Sequence, residues 1–476
     1  VTEPLSTTLK SNSVGAMGIV FFVLAFAAPL TVIIGIGPII LGSGGSPGAP
    51  GAFVLTTVTL LVFSVGFAAM SREHAGPGGF AVYIGKAFGF RAANAASFIA
   101  VVGYNSMLSA GVALFSATAG NTLSTSFDVD LPWWIYGLIA LGVVGLLGYG
   151  EIKLSVRVLG LLLVAEVVIV LILDAKVLAT NGARGIDVTG FSPSAIVQGG
   201  IGIVFLMTFA AFVGFEATTL FAEEAKDRRR TIPRATYLAV ILIGVFYTVS
   251  IWCLQLGWGV KQSAAAAADP VNFVFNLTSR VVGQWSADAM QWLVVTSILA
   301  ALVSTHGALS RYLFAMGRAG LLPARIGSTH HRMKSPHLAS LAQSAVTIGL
   351  TLLMIASGAD PLTVLYPRVM GIGSVAILIL YVAASLAVFV SLRRSTSENR
   401  VWVTTIAPLV SALALGVMLP LALINYDFLT GSHNPAVNLL WVVAPLAGVV
   451  GFLIHPPGAV TIGSIEVPDL QTEDVG

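Results

Sequence analysis

The chain has 476 residues, 56% of them hydrophobic and only 9% charged, with a formal net charge of +3, whereas soluble domains carry roughly 25% charged residues. This composition excludes an ordinary soluble domain and points to an all-α polytopic membrane protein. A single Cys253 and seven scattered histidines exclude an intramolecular disulfide and supply no metal-ligand cluster, so no cofactor or metal is expected.

A helix needs about 20 apolar residues to cross a ~30 Å hydrocarbon core. Twelve such stretches begin near residues 14, 51, 92, 132, 155, 195, 236, 285, 339, 362, 401 and 436. Residues 1–13 are short and polar, and the apolar run after them is too long for the core of a cleavable signal. The first span is therefore expected to remain in the membrane. With both termini cytoplasmic, the inner loops collect most of the arginines and lysines, from Arg72, Lys86 and Arg91 to Arg325, Arg332 and Lys334, which the positive-inside rule requires. These cations are spread along a membrane edge, so they mark topology and not a nucleic-acid partner.

In chain order, the first span carries FAAPLTVIIGIGP over residues 26–38. Pro29 removes a donor and clashes with the preceding turn, so the helix is expected to kink or unwind there. The third span holds Tyr104, Asn105 and Ser106, candidates either for substrate contact or for hydrogen bonds between helices. The fifth holds Glu166 within VLGLLLVAEVVIVLIL. In the sixth, FVGFEATTLFAEEAKDRRRTIPRA over residues 212–235 places Gly214 and Glu216 inside an apolar run. A glutamate there is costly unless it faces protein, water or substrate. Phe209, Phe212 and Phe215 surround this interruption. The 7/8 connection, VNFVFNLTSRVV, reads as a short surface helix, and the eighth span carries His306. Glu223, Glu224, Arg230, Arg234, Arg311 and Arg318 fall near the inner face, where Glu223, Arg230 and Arg311 are candidates for an inner gate. Beyond Pro456 and Pro457 the chain turns acidic and is expected to be a disordered cytoplasmic tail.

Interruptions at similar depth in spans one and six, five spans apart, are the pattern of an inverted repeat with its substrate site at the midplane. The expected organisation is a first repeat over 14–180, a second over 195–395, two peripheral helices over 401–455 and a tail over 456–476.

Three motifs then resemble one group. REHAGPGGFAVYIGKAFG from Arg72 to Gly89 resembles a signature of the amino acid/polyamine/organocation superfamily. ALSRYLFAMGRAGLLPARI over residues 308–326 is similar to that superfamily's Ser-Arg and Met-x-Arg-x-Gly-x-x-Pro segment, and Gly214, Glu216, Glu223 and the run from Arg230 supply a third match. The resemblance implies a leucine-transporter-type fold of five plus five inverted helices followed by two more, with helices 1 and 6 broken. It implies that the unwound segment around Pro29, Leu30, Thr31 and Val32 offers N–H groups to a substrate carboxylate. Carbonyls of Phe212, Val213 and Phe215 would accept from an ammonium group, and an aromatic of this segment, Phe212 or Phe215, would occlude the bound substrate. Where relatives carry a glycine-rich run, this chain has Ala28, Pro29, Leu30 and Thr31, which leaves room for an amine without a carboxylate. Glu166 matches a fifth-helix lysine that in several relatives bridges helices one and eight.

The expected function is import of an amino acid by a secondary active permease of the cell membrane, coupled to H+ through Glu216, Glu166 or His306. Buried carboxyl groups favour their neutral form, which suits proton carriage. Exchange of one solute for another, or transport of a polyamine or ethanolamine-type amine, uses the same fold. An intramembrane enzyme finds no nucleophile with a base, and a transport-dead sensor does not account for the helix breaks. The arginine bias with abundant Ala, Gly and Val is reminiscent of a bacterium with GC-rich DNA.

Overall fold

The computed structural model describes residues 14–42, 47–73, 79–149, 152–182, 186–198, 200–221, 224–331, 333, 335–394, 399–454, 456, 460 and 462. The segment 1–13, Glu223, Arg332, Lys334 and the acidic end from residue 463 lie outside them. Among the described residues the regular structure is helical, with one parallel bridge between Val14 and Ala225.

The first span is two helices, α1 (Ala16–Ala27) and α2 (Pro29–Gly42). They are followed by α3 (Ala49–Glu73), α4 (Phe80–Phe88), α5 (Phe90–Phe127), α6 (Trp133–Tyr149) and α7 (Ile152–Gly182). The second half opens with α8 (Ile201–Phe212), a 3-10 segment Phe215–Phe221 and α9 (Arg228–Trp258). It continues through α10 (Phe273–Val281), α11 (Gln284–Arg318), α12 (His337–Ala356), α13 (Tyr366–Arg394), α14 (Ala407–Ile424) and α15 (Val443–Leu453). Among the described residues ten helices are long and apolar enough to cross a membrane. The expected fourth and fifth spans are not among these ten. The fourth, α6, is apolar but only 17 residues long, and the fifth, α7, is a 31-residue helix whose side chains at 152–159 lie outside the described ones.

The break in the first span falls at Ala28, one residue before the proline. A proline disfavours α geometry in the residue before it, and Ala28 adopts φ 47°, ψ 70°, a left-handed conformation that costs an L-residue roughly 1–2 kcal/mol. Pro29 then opens α2, where its missing N–H is no loss. Gly35, Gly37 and Pro38 do not interrupt α2.

Small residues bring the central helices together, as expected of membrane bundles. A side chain added at Gly103 of α5 would lie 2.9 Å from the Ala376 Cβ of α13, and one at Gly373 would lie 2.7 Å from Met107. The short helix expected in the 7/8 connection is α10, seated through the buried Phe273, Val274 and Leu277. Of the tail expected to be unstructured from residue 456, only residues 456, 460 and 462 are described. The Val460 N–H donates to the Ala319 carbonyl at 3.1 Å, and Ile462 is buried.

Candidate functional site

The two interruptions meet. Gly214 follows α8 with φ +117°, a conformation open essentially to glycine, and a Cβ there would lie 2.3 Å from Cδ1 of Phe26. Phe22 packs edge-on against Phe221 at 4.5 Å, so α1 lies along the 3-10 segment.

A cavity of about 110 Å3 opens at this junction and runs along α2. About 10–15 Å3 of such space takes one water, so the cavity takes a small solute. Thr31 and Val32 line it from one break and Val213 from the other. Its walls are Ile36, Met107, Ile298 and Leu302, its polar groups are the Thr31 and Thr305 side chains, and Tyr366 is its one ionisable lining residue. Pro29 and Leu30, expected to touch substrate, are buried and do not line it. Phe212 and Phe215, expected as gates, pack into the scaffold: Phe212 against Phe53 and Tyr247, Phe215 stacked on Tyr381 at 5.6 Å. Phe26 is the aromatic at the cavity.

The expected cradle of N–H groups at the start of α2 is largely occupied. Pro29 has no N–H, Val32 donates to the Ala28 carbonyl at 3.0 Å, and the Leu30 backbone hydrogen-bonds Glu166. Thr31 is left to meet a ligand. Its hydroxyl donates to Ser297 of α11 at 3.1 Å, and Ser297 donates to Glu166 Oε2 at 2.7 Å. Glu166 thus connects α7 to α2 and α11 at the helix break, one hydroxyl removed from a cavity-lining residue.

Glu216 has a different setting. Tyr104 donates to its Oε1 at 2.5 Å, Tyr381 donates to Oε2, and the Gly214 N–H donates to Oε2 at 2.9 Å. The carboxyl group ties α5 and α13 to the sixth-span break and is turned away from the cavity. Tyr104 therefore serves Glu216 and does not line the cavity. Asn105, one residue on, points to α12, where Gln343 donates to its Oδ1 at 2.7 Å. His306 also points outward from the site, hydrogen-bonded to Ser340 of α12 at 2.9 Å and packed on Gly148.

At the opposite end of α11 Arg311 is buried, with Nε and Nη2 each 2.8 Å from Glu224 Oε1, and its Nη1 donates to the Gly307 carbonyl at 2.9 Å. Its guanidinium carbon lies 4.3 Å from the Phe221 ring centroid. Glu224 is therefore the acid that meets Arg311. Arg230 stands elsewhere, in an exposed 3.6 Å pair with Asp227, and Glu223 lies outside the described residues.

The sequence profile described as "Amino acid permease" matches residues 18–438. The chain belongs to the amino acid permease family. It is similar to a branched-chain amino acid permease of Bacillus subtilis (strain 168), 26% identical over 47% of this chain and 46% of that protein. A lysine-specific permease of Lactococcus lactis subsp. cremoris is 29% identical over 56% of this chain and 54% of that one. A low-affinity putrescine importer of Escherichia coli (strain K12) is 21% identical over 73% of this chain and 76% of that one. The alignments with the first two span about half the length of those relatives.

For this permease, sequence reasoning missed Tyr381, Ser297, Phe26 and Asp174. Asp174 had a visible signal, an acid within the apolar run LILDAKVL. It is buried on α7, where Ser250 of α9 donates to its Oδ2 at 2.7 Å. Tyr381 had none, since its partner Glu216 is remote in sequence.

Proposed function

We propose that this permease is a secondary active transporter that imports a neutral amino acid with an apolar side chain, coupled to a proton carried by Glu166. The observation that carries the reading is the chain of contacts from the cavity through Thr31 and Ser297 to Glu166. A substrate carboxylate at Thr31 takes the hydroxyl hydrogen that otherwise goes to Ser297, and it shares the start of α2 with the Glu166 side chain. Two negative charges at one helix start repel each other in a protein interior far more than they would in water. A proton on Glu166 removes that repulsion, so substrate and proton bind together. The Ala210 carbonyl accepts from the Val213 N–H at 3.2 Å, and the ammonium group meets the carbonyls of Ala211 and Phe212 beyond it at the end of α8.

Selectivity follows from the walls. The cavity has no charged lining residue, and burying an unpaired ammonium among Ile36, Met107, Ile298 and Leu302 is expensive. This disfavours lysine and diamines. The twelve-helix, five-plus-five organisation, with both termini cytoplasmic in a bacterial cell membrane, is part of the same reading. The Arg311–Glu224 pair closes the inner side while the cavity runs along α2 toward the outer one.

The test is equilibrium binding of labelled leucine to the purified permease, in competition with isoleucine, methionine, lysine, putrescine and ethanolamine. Leucine is expected to be held at least about 100-fold more tightly than lysine, the equivalent of roughly 3 kcal/mol. Preferential binding of lysine or putrescine would overturn the substrate assignment.

A further inference from the structure

A second cavity, of about 220 Å3, lies away from the transport site. Its floor is Val65, Ala68 and Ala69 of α3, where the two alanines leave the space that larger side chains would fill. Arg72 closes α3 above them, Tyr237 enters from α9, and Arg400 and Trp402 come from the segment leading into α14. Both arginines are exposed and line the hollow together with Tyr237, which places two cations and a hydroxyl donor around it. Among the described residues that line it there is no carboxylate.

The hollow lies between three helices long and apolar enough to cross a membrane, Ala49–Arg72, Arg229–Trp258 and Trp402–Ile424. Exposed apolar residues flank it. Val401 and Trp402 are 62% and 50% exposed, and the exposed apolar residues Ile406, Val410 and Leu413 continue along α14 from its mouth. Tryptophan at such a level is typical of the membrane–water boundary, and basic pockets between helix ends suit anionic head groups.

We propose that this pocket binds the phosphate of an anionic glycerophospholipid. Arg72 and Arg400 hold the phosphate oxygens, Tyr237 donates a further hydrogen bond, and the acyl chains lie along Trp402 and Ile406. Bound there, the lipid joins α3, α9 and α14 at the inner edge of the bundle.

The test uses the full chain in detergent, titrated with phosphatidylglycerol or phosphatidylcholine and read by native mass spectrometry. The wild type is expected to retain one phosphatidylglycerol in preference to phosphatidylcholine. Each cation near an anionic surface contributes about fivefold, so the Arg72→Ala/Arg400→Ala pair is expected to weaken retention about 25-fold. The Arg229→Ala/Arg230→Ala pair, exposed cations at the start of α9 on the same face, serves as the comparison and is expected to leave retention unchanged. Equal loss in both pairs would make the effect a general surface charge and overturn the site, as would no loss in the first pair. Displacement of the lipid by millimolar inorganic phosphate would assign the pocket to a soluble phosphate instead. A monodisperse Arg72→Lys/Arg400→Lys variant that keeps the lipid would support the charge-based reading, and one that loses it would contradict it.

Discussion

Replacing Glu216 tests whether the carboxyl group at the sixth-span break holds the bundle together. Three donors converge on it, the hydroxyls of Tyr104 and Tyr381 and the Gly214 N–H. Glu216→Ala leaves all three buried without an acceptor. Each such group costs about 1–3 kcal/mol, and because groups in one network are not additive, the expected loss is about 3–5 kcal/mol. Glu216→Gln is milder for a geometric reason. The Gly214 N–H can only donate, so the amide oxygen must take the Oε2 position and the amide nitrogen must face Tyr104. The Tyr104 oxygen can accept from that nitrogen, but its own hydrogen then loses its partner, at a cost of about 1–2 kcal/mol. Denaturant unfolding of the detergent-solubilised variants, followed by tryptophan fluorescence, separates the two. A Glu216→Ala variant within about 0.5 kcal/mol of wild type, or a glutamine variant as unstable as the alanine one, would refute this account of Glu216.

Gly214→Ala places a Cβ against Phe26 and forces φ +117° on a residue that rarely adopts it, so about 2–4 kcal/mol of stability is expected to be lost. Phe26→Leu in the same chain should return part of it in the same unfolding assay. Arg311→Gln leaves Glu224 buried without its cation and is expected to cost about 3–5 kcal/mol. Arg230→Gln breaks only an exposed pair and should change stability by less than about 1 kcal/mol; comparable losses for the two would remove the distinction drawn between them. His306→Gln preserves a partner for Ser340 outside the cavity, and proteoliposome uptake should stay within about twofold of wild type.

The helix breaks were legible in the sequence because their causes are local. Pro29 disfavours helix in the residue before it, where the break falls, and Gly214 is the residue that a φ of +117° and a facing phenylalanine require. What lay beyond reach was direction. Tyr104 and Asn105 are adjacent, yet 100° of helical rotation sends one to Glu216 and the other to Gln343. Glu224, weighed with its neighbour Glu223 in the sequence, is shown to meet Arg311 only by the structure, while Glu223 lies outside the described residues. Phe212 and Phe215 read as gates because they flank a break, but the aromatic surfaces of Phe53, Tyr247 and Tyr381 draw them into the scaffold. The cradle of N–H groups at the start of α2 is narrower than expected for a related reason. An internal acid, Glu166, already uses the Leu30 backbone at the start of α2, which the sequence of the first span alone does not reveal. The fourth span was counted from hydropathy, and it is the one in which short length blurs that signal.

The central claim is that Glu166 couples a proton to substrate binding at Thr31. Leucine accumulation into proteoliposomes, with and without an inward proton gradient, compares wild type with Glu166→Gln. Wild type is expected to accumulate leucine only with the gradient and to bind it more weakly as pH rises. The variant is expected to lose both dependences while still exchanging leucine across the membrane. Gradient-driven accumulation by Glu166→Gln with an unchanged pH profile would contradict the account.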